Sequence, residues 1–143
     1  MEEKKQIVRK SNFLLKKYNF RKNIISYIYQ FELFDKSLNT KEIVDNKLNE
    51  ITNAEIQTLE LIETKYQTLT NIAKKFILKN WEWERISPLI RAIIIFGIYE
   101  LTFNESKVVI NEIINITKLF SPGEEYKFVN KVLDKISKQI INK

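Results

Sequence analysis

Ser87-Pro88-Leu89-Ile90-Arg91-Ala92-Ile93-Ile94-Ile95-Phe96-Gly97-Ile98-Tyr99-Glu100-Leu101-Thr102-Phe103 is the stretch that decides the fold. A hydroxyl residue followed by proline marks a helix start. The serine side chain caps backbone amides that have no partner, and proline suits the first helical position, where no amide is needed. From Pro88 to about Phe103 the run is apolar almost all round, with Ile93, Ile94, Ile95, Phe96, Ile98 and Tyr99 leaving little polar face. Such a helix must be covered by neighbours on most sides. The sequence therefore predicts a central core helix wrapped by others.

Working outward, each flanking segment carries apolar residues at helical spacing. Downstream, Asn104–Ser106 opens a helix with Val109, Ile113, Ile116 and Phe120 aligned, and Ser121-Pro122-Gly123 stops it. A final helix, about Glu124–Ile141, is expected to bury Val129, Val132, Leu133, Ile136 and Ile140, with Glu124 and Glu125 facing its positive N-terminal dipole. Upstream, Thr52-Asn53 offers caps for a long run carrying Ile56, Leu59, Ile62, Tyr66, Leu69, Ile72 or Ala73, and Phe76, with a break expected near Glu63–Thr64. Asn39-Thr40 precedes a shorter helix with Ile43, Val44 and Leu48 inward. From Arg21 another segment places Ile24, Ile25, Ile28 and Phe31 in one stripe. Residues 4–18 set Ile7, Val8, Phe13, Leu14 and Tyr18 among lysines, as a weak helix or a basic arm.

Only two glycines and two prolines punctuate the 143 residues, too few for a fold built on tight turns. The expectation is one all-α domain, a bundle of about seven helices over residues 21–143, preceded by a basic extension over residues 1–20. Cysteine and histidine are both absent, which removes disulfides, thiol and imidazole chemistry, and every Cys/His metal site. The two glycines stand far apart, so no glycine-rich loop cradles phosphate. Glu82/Glu84 and Glu124/Glu125 point to different helix faces and read as solvated acids, and Asp134 as a local partner of Lys131 or Lys138. No catalytic residue, cofactor or metal is expected.

The net charge of +6 is segregated. Residues 1–22 hold eight basic groups against two acidic ones, and the other 121 residues are balanced. Lysine drift in an AT-rich genome explains lysine over arginine but not this placement. A basic block favours a polyanion, because neutralised phosphates release condensed counterions. Residues 32–63 are net acidic and residues 64–143 net basic, so the surface is expected to be dipolar. No signal peptide is visible, and the longest apolar run, Ala92–Tyr99, is far below the roughly 20 residues that span a bilayer. A cytoplasmic protein is expected, with a basic helix lying on an anionic membrane as the minor alternative.

The C-terminal half carries a further pattern. Trp81-Glu82-Trp83-Glu84-Arg85-Ile86 is followed by Arg91-Ala92-Ile93-Ile94 and Ile98-Tyr99-Glu100-Leu101. Then come Val108-Val109-Ile110-Asn111-Glu112 and Lys127-Phe128-Val129-Asn130-Lys131-Val132-Leu133-Asp134-Lys135. In order and spacing these segments resemble the NusB family, closely over about residues 81–136 and weakly over Arg21–Glu32, where Ile28-Tyr29-Gln30 falls in the corresponding place. The resemblance implies a seven-helix RNA-binding domain with no enzymatic activity. It implies binding to the boxA element of ribosomal RNA leaders together with the small-subunit ribosomal protein NusE, so that RNA polymerase reads through terminators.

Carried onto this chain, the resemblance assigns RNA contact to Lys16, Lys17, Arg21 and Lys22, and to Lys127 and Phe128 at the start of the final helix. Tyr27 is a looser stacking residue, and Tyr29 matches the tyrosine near the partner protein. Lysines suit phosphate contacts, and aromatic faces suit unstacked bases. Asn111 and Asn130 match signature positions and are expected to bond backbone or fix helix ends. The chain departs from the family at Ile95, where an arginine is usual, and at Lys131, which replaces a glycine and adds charge beside the RNA edge. Sparse lysines also stand where the family has dense arginines, which removes bidentate phosphate recognition. The alternative reading is therefore an accessory of ribosome assembly or ribosomal RNA maturation, with partner-protein binding dominant and RNA binding nonspecific.

Overall fold

The Ser87 hydroxyl accepts a hydrogen bond from the Ile90 amide, and α4 (Pro88–Leu101) starts there. Every residue from Ile90 to Leu101 is buried, as its pattern requires. Its run of isoleucines is mediocre for helix propensity, so packing on its flanks, more than local preference, makes this segment helical. The coordinates, a computed structural model, describe residues 2–46, 50–77 and 81–141. Around α4 stand α1 (Glu2–Glu32), α2 (Thr40–Asn46), α3 (Asn53–Phe76), α5 (Ser106–Phe120) and α6 (Glu125–Ile141). With the 3-10 turn Trp83–Arg85 this makes seven helical elements, and no strand occurs among the described residues.

Two buried ion pairs fix the register of α1 against α4. Arg21 meets Glu100 at 2.7 Å through Nε and at 3.2 Å through a second nitrogen. At the other end of the contact Arg91 approaches Glu32 at 3.7 Å and donates to the carbonyls of Glu32 and Ile86, at 3.0 and 2.6 Å. The earlier α1 residue, Arg21, thus pairs with the later α4 residue and the later one, Glu32, with the earlier, so the two run antiparallel. A one-turn slip would leave four charges buried without partners, a penalty of several kcal/mol per ion (roughly) that excludes it.

The remaining helices close the shell. Thr52 and Glu55 form a capping box at the start of α3, and Glu55 also accepts from Asn23 of α1 at 2.9 Å. Glu63 accepts from the Thr40 amide at 2.7 Å and so ties α2 to α3. α6 lies against α4 at Gly97, where an added Cβ would meet Leu133 at 2.9 Å, so the absent side chain permits the close approach.

Three expectations change. The basic segment and the segment from Arg21 are one continuous helix, α1, because no breaker lies between them. The long run 53–76 is also unbroken, since Glu63 and Thr64 are simply exposed residues of α3. Ile140 is exposed, not buried, because it lies in the last turn of α6, past the core contacts ending at Ile136. Ile43 is buried and Val44 half-buried, while Leu48 lies outside the described residues.

Candidate nucleic-acid interface

The two halves of helix α1 differ in exposure. Its second half is the buried partner of α4, whereas residues 2–17 are exposed throughout. The exposed half gains from Glu2 and Glu3 at its positive N-terminus and from continuity with the packed half. Lysines add support by folding back on aromatic rings one turn away, Lys17 over Phe13 at 4.8 Å and Lys22 over Tyr18 at 5.4 Å. Grooves run along both flanks. One, of about 490 Å³, is lined by Phe13, Lys16, Lys17 and Phe20 from α1 and by Phe96, Tyr99 and Phe103 opposite. The other, of about 530 Å³, sets Leu14, Leu15 and Tyr18 against Val108 and Glu112 of α5.

The structure divides the expected RNA-contact residues into two groups. Lys16, Lys17 and Lys22 lie along α1, the first two exposed and Lys22 half-buried. Lys127, Phe128 and Lys131 lie on α6, with both lysines exposed and Phe128 half-buried against Trp81, ring centroids 5.5 Å apart. Trp81 itself is 51% exposed, so the pair presents an aromatic surface beside two lysines. Lys127 bonds Glu124 at 3.2 Å, an exposed contact that a phosphate can displace at little cost. α1 meets α4 along its Phe96–Tyr99–Glu100 face, and α6 meets it at Gly97, about a quarter-turn round.

Two expected contacts are corrected. Arg21 is 8% exposed, and its guanidinium is committed to Glu100, so it anchors the helix and is not free for phosphate. Tyr27 is 9% exposed, and burial, followed by Glu55 and Glu50, pushes its hydroxyl above the usual range. Its ring is part of the core and offers no face to a base. Tyr29 is half-buried in an apolar groove of about 320 Å³ with Leu33, Leu89 and Phe120. Asn111 and Asn130 lie in mid-helix with exposed side chains and so do not fix helix ends.

Acidic residues singled out in the sequence pair with nearby cations. Glu82 pairs with Arg85, Glu84 with Lys74 and Asp134 with Lys138. Among the described residues no group of three or more Asp or Glu could hold a metal ion. No described helix is long and apolar enough to cross a membrane. The residues that the sequence reading missed are Phe13, Phe20 and Phe103. For Phe13 and Phe20 a signal was present: Phe13, Lys16, Lys17 and Phe20 follow i, i+3, i+4, i+7 spacing, which puts all four on one helix face.

The model of the NusB family matches residues 18–138. The chain belongs to the NusB family. It is 36% identical over 125 residues to Transcription antitermination protein NusB of Sulfurimonas denitrificans, covering 82% of this chain and 93% of that one. It is 32% identical over 127 residues to the protein of the same name in Fervidobacterium nodosum, covering 83% and 88%. The Bacillus thuringiensis protein of that name is also 32% identical over 127 residues, covering 85% and 97%. No solved structure matches. The NusB family match begins at Tyr18, so the exposed residues 2–17 of α1 precede it, and with them Phe13, Lys16 and Lys17 of one groove and Leu14 and Leu15 of the other.

Proposed function

We propose that this chain is a transcription antitermination factor that binds boxA-type RNA of ribosomal RNA leaders jointly with NusE and acts on elongating RNA polymerase through that complex. The observation that carries the reading is membership of the NusB family across residues 18–138. The geometry supports it with exposed lysines on α1 and with the Lys127–Phe128–Trp81 cluster at the start of α6. Phosphates are held by Lys16, Lys17, Lys22, Lys127 and Lys131, and an unpaired base rests on Phe128 or Trp81. The apolar groove around Tyr29 is the docking place for NusE. The protein works by binding alone, in the cytoplasm, where nascent ribosomal RNA is made.

Substitution tests the assignment. Lys16→Ala with Lys17→Ala is expected to weaken boxA RNA and a scrambled RNA alike, because phosphate contacts carry no sequence. Phe128→Ala is expected to weaken boxA more than the scrambled strand. Full RNA binding by both variants would overturn the placement of the interface.

A further inference from the structure

The groove between α1 and the C-terminal end of α4 has a composition that core packing does not explain. Phe13 is 57% and Phe103 61% exposed, and both rings line this one groove. A single exposed aromatic is ordinary, but two converging on one cleft whose near wall alternates phenylalanine with lysine is not. Phe103 is braced edge-on by Tyr99, with centroids 5.1 Å apart, and Phe13 by Lys17. The acid within the groove is neutralised: Glu100 is held by Arg21, and Asn104 donates to the same carboxylate at 3.0 Å. The lip carries Lys16 and Lys17, and the lining acid Glu100 is already paired.

We propose that this groove is a stacking subsite for an unpaired nucleobase of single-stranded RNA, with Phe13 and Phe103 as the aromatic faces and Lys16 and Lys17 on the flanking phosphates. The proposal rests on the RNA-binding reading above and adds to it a second base site, separate from Phe128. Phe13, Lys16 and Lys17 precede the residues that match the family, while Phe20, Tyr99 and Phe103 lie within them. Its volume of about 490 Å³ lies in the range of small-ligand pockets. The lysines Lys16 and Lys17 on the α1 wall favour a polyanion over an amphipathic protein helix as the occupant.

The test uses the full chain and a boxA RNA with four uridines added at each end, substituted at single positions with the photoreactive base 5-iodouracil. A crosslink mapped by mass spectrometry to Phe13, Tyr99 or Phe103 is expected at one flanking position. Phe13→Leu and Phe103→Leu, which keep apolar bulk at exposed positions, are each expected to lower affinity about tenfold with an unchanged melting temperature. Phe13→Trp is expected to restore it. Wild-type affinity in both leucine variants, with crosslinks confined to Phe128 or Trp81, overturns the subsite and leaves the RNA-binding function standing. Failure of the wild-type chain to bind any RNA overturns both.

Discussion

Arg21 shows how one residue's role depends on what stands opposite it. Beside Lys22 in the sequence it reads as part of a phosphate-binding cluster, yet its guanidinium is buried on Glu100. The clue available beforehand was Glu100 itself, since an acid in a helix apolar all round needs a buried cationic partner. Arg21→Met is expected to cost about 3–5 kcal/mol of stability in urea denaturation, because it strands the carboxylate. The double variant with Glu100→Met is expected to recover most of that loss, which a phosphate-binding arginine would not produce. Glu32 gives a pH signature. Burial raises its carboxyl above the ordinary 4.5, against the lowering pull of Arg91, Tyr66 and Lys74, with Asp35 adding to the rise. The stability it contributes is then fully present below 4.5 and lost as pH rises through the folded value. In denaturation series from pH 4 upward (an approximate lower limit), the stability of the wild type minus that of Glu32→Gln is expected to fall as pH rises. A difference independent of pH would show that Glu32 titrates as it does in the unfolded chain.

At the scale of the element, caps and apolar stripes were legible because they are local. Ser87-Pro88, Thr52 with Glu55, and the all-round apolar run of α4 each mark their helix through interactions within one or two turns. Thr52→Ala is expected to cost about 1 kcal/mol by thermal unfolding, the ordinary worth of a side-chain N-cap. Glu55→Ala is expected to cost more, since that carboxylate also receives Asn23 of α1. What the sequence could not reveal was the continuity of helices through polar stretches. Glu63 and Thr64 carry no breaker chemistry, and Glu63 earns its place through the Thr40 amide, 23 positions away in the chain. The union of the basic segment with the rest of α1 was hidden similarly, because exposed lysines are compatible with either a helix or an arm. Tyr27 and Phe103 were misjudged or missed for one reason: whether a ring is covered depends on helices that meet only after folding.

Over the whole molecule, α4 acts as a central post whose different sides carry different neighbours, α1 with its lysine-rich outer half and α6 with Lys127, Phe128 and Lys131. The excess charge of +6 lies in residues 1–22, so RNA is expected to be drawn to that segment. If about five phosphates are neutralised, log affinity is expected to fall against log salt with a slope of roughly −3.5. Lys16→Ala with Lys17→Ala is expected to make that slope shallower by about 1.4. An unchanged slope would place the phosphate contacts elsewhere. Fluorescence anisotropy tests for sequence-selective RNA binding shared with NusE. A labelled boxA RNA and a scrambled control are titrated with the chain, alone and in the presence of NusE. Tighter binding of boxA than of the control is expected, with the preference sharpened by NusE. Equal, salt-sensitive binding of both RNAs, unaltered by NusE, would contradict it.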